Sequence, residues 1–149
     1  MEINNQILHF GSIAYGSVAY NEELKLRDRV LRKPLGMSLF DESLVGEVND
    51  YHIGAYIADC LVGVLILTEL NNKEIKMRQV AVDDGWRGNG VGGEMVIFAE
   101  QYCSDMGYKR VVLNARKTAV NFYEKHGYMV IGSEFIEIGI PHFKMIKEI

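Results

Sequence analysis

Residues 79–94 read QVAVDDGWRGNGVGGE, an apolar strand pattern that runs through a glycine-rich turn into a helix pattern. Four of the six residues from Gly88 to Gly93 are glycine, which lets the backbone approach a ligand closely. The helix start presents unpaired N–H groups and the positive end of its dipole, and Arg87 adds a cation. The turn therefore predicts a pyrophosphate site. The alternative is that its glycines only allow the helix and the strand to pack tightly.

Strand and helix patterns alternate on both sides of this turn. Before it, the periodicity predicts a strand over residues 7–12, a helix over 17–31, a weak helix over 44–50, a hairpin of strands 52–58 and 61–69 that turns at Asp59-Cys60, and a strand over 74–82. After it come a helix from Val91 that Gly107 stops, a strand over 110–114, a helix over 117–126 closed by Gly127, and strands near 128–135 and 138–147. The order predicts one α/β domain over residues 1–149, a mixed sheet with helices on its faces.

Composition and charge restrict the class of protein. With 48% apolar and 24% charged residues among 149, the chain has the mix of a globular protein. Its 16 basic and 20 acidic residues give a net charge of −4, which argues against a nucleic-acid-binding surface. The apolar run over residues 61–67 is too short for a bilayer, and no signal peptide is evident, so we expect a cytoplasmic protein without membrane contact. Cys60 and Cys103 match no zinc or redox spacing, and no metal is expected.

The glycines also satisfy a dinucleotide-binding pattern, which alone is a weak signal. Gly88, Gly90 and Gly93 fit G-x-G-x-x-G. However, several elements precede this strand, and residues 83–87 separate it from the first glycine. The next strand ends in Asn114, where a ribose-binding acid is missing, and too few residues follow for a doubly wound sheet. A nicotinamide-dependent enzyme is therefore a distant alternative, and the missing Gly-Lys-Ser/Thr excludes a nucleotide-triphosphate loop.

Two ordered motifs resemble one enzyme family. Val80-Ala81-Val82, four further residues and then RGNGVG over residues 87–92 are similar to the acetyl-CoA-binding signature of the GCN5-related N-acetyltransferases. Residues 119–128, AVNFYEKHGY, resemble the family's second motif. Residues 113–116, LNAR, and 139–145, GIPHFKM, look like the ElaA-type branch of small bacterial acetyltransferases. The resemblance covers about residues 61–147 and implies a mostly antiparallel mixed sheet with a splayed pair of parallel strands and helices on both faces.

The resemblance also implies an activity. It implies acetyl-CoA as cosubstrate and transfer of its acetyl group to a primary amine of a small molecule or peptide by direct attack in a ternary complex. The backbone of Val82 would polarise the thioester carbonyl, and Tyr123 would protonate the departing sulfur. The cofactor-binding residues implied are Val80, Ala81, Val82, Arg87, Gly88, Asn89, Gly90, Val91, Gly92, Gly93, Asn114, Arg116 and Tyr123. A noncatalytic acyl-CoA-binding or sensing module is the alternative, and the resemblance leaves open a homodimer.

Several of these assignments have a structural alternative. Tyr123 lies on an apolar helix face and could simply pack there. Arg116 stands where many relatives carry an asparagine that contacts the cofactor, so it either approaches the phosphates of CoA or is a solvated charge. Asn114 could bind the pantetheine amide or the acceptor, or cap a turn.

The general base is the least determined role. His142 is the best histidine candidate, Glu69 and Glu47 are weaker ones, and an ordered water is a further candidate. A structural histidine bonded to a loop is the alternative for His142.

The end of the first helix is basic, and we interpret it as an exposed charged face rather than an acceptor site. Its basic residues are Arg27, Arg29, Arg32 and Lys33.

Overall fold

The computed structural model describes all 149 residues and contains eight strands and three α-helices. The strands are β1 (Glu2–Ile3), β2 (Gln6–Ile13), β3 (Tyr51–Ile57), β4 (Cys60–Glu69), β5 (Glu74–Val82), β6 (Arg110–Arg116), β7 (Met129–Glu137) and β8 (Ile140–Glu148). The helices are α1 (Val18–Leu31), α2 (Val91–Asp105) and α3 (Val120–Lys125). Short 3₁₀ turns, Val45–Asn49 and Lys117–Ala119 among them, connect these elements. None of the helices combines the length and apolarity that a bilayer crossing requires.

All eight strands form one sheet in the order β1-β2-β3-β4-β5-β6-β8-β7. Every neighbouring pair is antiparallel except β5 and β6, which are parallel. That parallel ladder stops at Lys76–Val112, although β5 continues to Val82 and β6 to Arg116. The two strands are therefore splayed over their second halves, which confirms the predicted fold class.

A β-bulge in β5 accounts for the splay. The register of β5 against β4 shifts between the pairs Val64–Ala81 and Ile66–Arg78, so β5 carries one extra residue. Gln79 lies in this segment with a positive φ of 54°, in the left-handed region. A bulge bends its strand and increases the local twist. It thereby turns the second half of β5 away from β6.

The helices cover opposite faces of the sheet. On one face, α2 buries Met95, Ala99 and Cys103 in the larger core cluster, to which α3 contributes Tyr123. On the other face, α1 packs in a second cluster that includes Val64 and Ala81 of the central strands. The gap between β5 and β6 therefore opens towards α2 on one face of the sheet and towards α1 on the other.

The ends of the helices follow local sequence signals. The hydroxyl of Ser17 accepts a hydrogen bond from the Tyr20 N–H at 3.1 Å and caps α1. Gly107 and Gly127 follow α2 and α3 with φ of 94° and 89°, as predicted for helix stops. The predicted helix over 117–126 differs, because its first turn is 3₁₀. The β3–β4 hairpin turns at Ala58-Asp59, one residue earlier than predicted.

Candidate functional site

A cavity of about 890 Å³ occupies the gap between the splayed strands. On the α2 side it is lined by the glycine-rich turn and by Phe122 and Tyr123. On the α1 side it is lined by Val30, Leu31 and Arg32. The cavity therefore joins the two faces of the sheet. Of the predicted site residues, those that line it are Val80, Ala81, Val82, Arg87, Gly88, Gly90, Val91, Gly92, Gly93, Asn114, Arg116 and Tyr123.

The glycine-rich turn presents a run of free backbone donors. The first backbone hydrogen bond of α2 joins the Glu94 N–H to the Gly90 carbonyl at 3.1 Å, and no side chain caps the helix. The six amides from Gly88 to Gly93 have no acceptor within the protein. Gly88 and Gly90 have φ of 81° and 82°, which only glycine adopts without strain. Free amides at a helix N-terminus can bind a phosphate group.

Tight packing does not explain most of these glycines. A Cβ atom at Gly88 would have no neighbour within 4 Å, and one at Gly92 would lie 3.6 Å from Phe122, an ordinary contact. At Gly90 it would crowd the terminal methyl group of Met1 at 3.0 Å, and at Gly93 the imidazole of His126 at 3.1 Å. The turn therefore keeps its amides uncovered where no helix–strand contact demands it.

Arg87 and Asn89 flank the amides in different ways. The Nε of Arg87 donates to the Val82 carbonyl at 3.3 Å, and its guanidinium pairs with Asp84 at 3.1 Å. Both charges are largely exposed, so Arg87 can exchange Asp84 for an anionic ligand at little cost. The amide of Asn89 instead donates to the Trp86 carbonyl at 3.2 Å and shapes the turn. Asn89 is the one predicted cofactor-binding residue that does not line the cavity.

The end of β5 offers a backbone donor to the same cavity. The Asp83 N–H donates to the Val62 carbonyl of β4 at 2.8 Å. Because backbone groups alternate sides along a strand, Val82 turns its N–H and carbonyl towards β6. Since β6 has splayed away, the Val82 N–H has no strand partner.

The hydroxyl of Tyr123 is free although its ring is buried. The ring lies in edge contact with Phe122 and Tyr128, at centroid distances of 5.0 and 5.7 Å. No group of the protein hydrogen-bonds to the hydroxyl, and the residue lines the cavity. Burial raises the pKa of Tyr123 to about 12, so the phenol holds its proton at neutral pH. The ring therefore packs, as the alternative interpretation expected, while the hydroxyl remains available as a proton donor.

A second polar group of residues lines the cavity on the α1 side. Arg116 of β6 and His142 of β8 are direct cross-strand partners and so share this face. The Nδ1 of His142 lies 2.9 Å from the Ile140 carbonyl, so it carries the proton in the neutral ring. The Nε2 is then the basic nitrogen, 3.5 Å from the Glu137 carboxylate. The side-chain amide of Asn114 donates to the same carboxylate at 3.3 Å.

The guanidinium of Arg116 reaches across to the end of α1. It donates to the Leu31 carbonyl at 3.0 Å, and Arg32 donates to the same oxygen at 3.1 Å. Burial and then the nearby charge of Arg32 lower the pKa of Arg116 below its usual value. Arg116 is thus a half-buried cation and not the solvated charge that one interpretation proposed. Whether it contacts CoA remains a prediction.

The two weaker candidates for the general base lie elsewhere. Glu69 accepts a hydrogen bond from the Tyr108 hydroxyl at 2.5 Å. Glu47 accepts two from Arg27, at 2.8 and 2.7 Å. Neither carboxylate lines the cavity, whereas His142 does.

The interpretation of the α1 end as an exposed charged face is wrong for two of its residues. Arg27 is 1% exposed and Arg32 is 4% exposed, the latter bonded to Glu42 at 2.6 and 3.2 Å. Arg29 and Lys33 are exposed, as expected. The periodicity of the charges gave no sign of this burial, because the carboxylates Glu42 and Glu47 lie in a later segment.

Arg27 is the centre of a buried charge network. It pairs with Glu23 at 2.9 Å as well as with Glu47, and its Nε donates to Gln79 of the bulge at 3.3 Å. The Nδ1 of His52 lies 2.9 Å from Glu23, and its Nε2 lies 2.9 Å from the Glu47 carbonyl. Glu23, Glu47 and His52 could supply metal ligands, but the Arg27 guanidinium already pairs with both carboxylates. The network therefore supports the bulge that opens the cavity.

Burial and pairing act against each other on the pKa values of this network. Burial alone would lower the pKa of His52, but hydrogen bonds and charge from Glu23 and Glu47 raise it. Burial would raise the pKa of Glu47, but the hydrogen bonds and charge of Arg27 lower it. Both shifts favour the charged forms.

Comparison with known proteins agrees with this geometry. The family model for the acetyltransferase (GNAT) domain matches residues 32–149. The chain belongs to the GNAT acetyltransferase family. Its sequence is 40% identical over 74 residues to the uncharacterised N-acetyltransferase YjcF of Bacillus subtilis (strain 168), over 49% of this chain and 53% of that protein. The chain spans about half the length of the first curated relatives it matches.

Solved GNAT structures share the fold at low identity. Escherichia coli ElaA superposes with a TM-score of 0.80 at 22% identity, covering 95% of this chain and 100% of ElaA. A GNAT acetyltransferase from Elizabethkingia anophelis, solved with acetyl-CoA bound, superposes with a TM-score of 0.72 at 16% identity. The match covers 95% of this chain and 98% of that chain. The predicted resemblance to ElaA is confirmed for the fold.

Proposed function

We propose that this GNAT chain transfers the acetyl group of acetyl-CoA to a primary amine of a small molecule or peptide, by direct attack in a ternary complex. The observation that carries the proposal is one cavity lined both by Tyr123 and by the glycines of the turn, whose backbone amides are free. The bound acetyl-CoA of the Elizabethkingia anophelis relative supports the choice of cosubstrate.

The residues of the cavity fit the parts of acetyl-CoA. The free amides of the glycine-rich turn, with Arg87 beside them, suit a diphosphate. The splayed edge of β5 suits an extended amide chain, because Val82 has an unpaired N–H there. In this assignment Val80, Ala81 and Val82 border the pantetheine arm, and Asn89 acts by shaping the turn.

The reaction needs a base, a stabilised carbonyl oxygen and an acid. The Nε2 of His142, or a water, accepts a proton from the amine, whose nitrogen then forms a bond to the acetyl carbon. The Val82 N–H donates to the carbonyl oxygen as negative charge develops there. The bond from carbon to sulfur breaks, and the Tyr123 hydroxyl gives its proton to the departing sulfur. The raised pKa of Tyr123 keeps that proton in place until the sulfur leaves.

Replacement of Tyr123 tests the proposal directly. Release of CoA thiol is measured from acetyl-CoA with a panel of amino acids, polyamines, amines and lysine peptides. For Tyr123→Phe we expect kcat to fall about 10²- to 10⁴-fold with the accepted amine, because a general acid is lost. The Kd for CoA in calorimetry should not change, since the aromatic ring remains.

Tyr128→Phe is the matched control. The Tyr128 hydroxyl is also buried without a partner, but Tyr128 does not line the cavity. Its variant should therefore keep the wild-type kcat. Equal rates for Tyr123→Phe and wild type would remove the general-acid role. Binding of CoA without thiol release from any amine would favour the noncatalytic acyl-CoA-binding module.

A further inference from the structure

Arg116 has a cationic charge that the protein does not neutralise. Each of the other six arginines has a carboxylate within ion-pair distance; their partners are Glu23 and Glu47, Asp83, Glu42, Asp50, Asp84, and Glu74 with Glu148. Arg116 bonds only to the neutral Leu31 carbonyl, although it is half-buried in the cavity wall. A buried cation without a counter-charge is costly unless a ligand supplies one.

A second unpaired cation lines the same side of the cavity. Lys76 of β5 stands at the last pair of the parallel ladder, where the gap begins, and has no carboxylate within ion-pair distance. Burial lowers the pKa of Lys76. Arg32 and Arg78, which also line the cavity, are already paired with Glu42 and Asp50. On the α1 side of the cavity, the half-buried cations Arg116 and Lys76 therefore outnumber the one lining carboxylate that is not paired with an arginine, Glu137. An anion is the ligand that would balance the excess charge.

These cations lie on the face of the sheet opposite the glycine-rich turn. Arg116 bonds to the end of α1, on one face of the sheet, whereas the free amides belong to α2, on the other face. The direct cross-strand partner of Arg116 is His142, whose Nε2 is the basic nitrogen. The Cβ atoms of such a pair lie about 5 Å apart. A small acceptor that reaches both residues would carry an amine and an anionic group in one molecule.

We infer that the acceptor is an amino acid or a close analogue, whose carboxylate binds the Arg116 guanidinium while its amine faces His142. The inference rests on the proposed function and names the substrate class of that site. The planar guanidinium can hold a carboxylate through two parallel hydrogen bonds. Glu137, 3.5 Å from His142, is the acidic group placed to attract the ammonium form of the amine.

A matched set of acceptors tests this assignment. Each free amino acid is compared with its carboxamide and with its decarboxylated amine, by kcat/KM for thiol release from acetyl-CoA. For the wild type we expect the free acid to be preferred by about ten- to a hundredfold, the effect of a hydrogen bond to a charged group. In Arg116→Gln the preference should fall to near unity, and Arg116→Lys should restore part of it. The Kd for CoA should be the same in all three proteins.

Lys117→Gln is the control, since it removes an exposed neighbouring charge that pairs with Glu134 and does not line the cavity. It should keep the wild-type preference. Equal use of acid and carboxamide by the wild type would overturn the inference and leave the acetyltransferase proposal intact. A weaker Kd for CoA in Arg116→Gln would overturn it in favour of a CoA contact.

Binding of the products separates this inference from the activity. Calorimetry with CoA present compares N-acetyl amino acids with their carboxamides, and it requires no turnover. Preferred binding of the acid form, lost in Arg116→Gln, supports the anion site even if no amine releases thiol. If the wild type binds the acid and the carboxamide equally, the anion site is refuted.

Discussion

The strongest prediction for stability concerns Arg27→Met. The variant removes the guanidinium that pairs with Glu23 and Glu47 and keeps a side chain of similar length. Two carboxylates then remain in the core with His52 as their only cation. Removing one partner of a buried ion pair costs about 3–5 kcal/mol of the free energy of unfolding. For a domain of this size, that corresponds to a decrease in Tm of roughly 6–20 °C.

Arg29→Met is the matched control on the same helix. Arg29 pairs with Asp83 at 2.9 Å, but its side chain is 47% exposed. Exposed pairs contribute about 0–1 kcal/mol, so the Tm should fall by no more than about 4 °C. Thermal unfolding followed by circular dichroism measures both variants against the wild type.

The pH dependence separates a charge effect from a packing effect. A raised folded-state pKa means that the stabilisation from His52 is full below its unfolded pKa of about 6.5 and is lost as pH rises through the folded pKa. Without Arg27, His52 holds its proton to still higher pH, so the loss extends over a wider range. The difference in Tm between Arg27→Met and wild type should therefore widen above about pH 6.5. A difference that stays constant with pH, or one equal to that of Arg29→Met, would refute the reasoning.

Two further predictions concern the base and the thiols. His142→Gln should lower kcat about 10²- to 10⁴-fold, with the Kd for CoA unchanged, because a general base is lost; an unaltered kcat would assign the base to water. Cys103 is fully buried, and burial raises its pKa to about 12, whereas Cys60 is exposed. A thiol reagent should therefore label Cys60 alone in the native protein and both thiols in denaturant. Rapid labelling of native Cys60→Ser would contradict this.

The central part of the fold was predictable because its signals are local. The bounds predicted for β5, 74–82, agree with the structure, and the glycines after α2 and α3 adopt the left-handed conformation expected of helix stops. The strand β1 was missed, because Glu2 and Ile3 are too few to show a periodicity. The bulge at Gln79 was missed as well. A glutamine with positive φ has no sequence signature, and its support from Arg27 comes from a distant helix.

The parts of the candidate site that come from a single segment were predictable. The parts that several segments build together were not. The amides from Gly88 to Gly93 belong to one turn, so their arrangement follows from its glycines. The pairing of Arg116 with Leu31, and its place beside His142, depends on how β6, β8 and α1 meet. The Glu23–Arg27 spacing is that of a surface pair on a helix, and only the later residues Glu47 and His52 make it a buried one.

The cavity that joins the two faces of the sheet also has an evolutionary consequence. The donors suited to a diphosphate lie with α2, and the charges suited to an acceptor lie with α1 and the ends of β6 and β8. If the proposed function holds, substitutions on the second set can redirect the chain to a new acceptor without disturbing the binding of its cosubstrate. One scaffold could thus diversify in acceptor choice while its donor stays fixed.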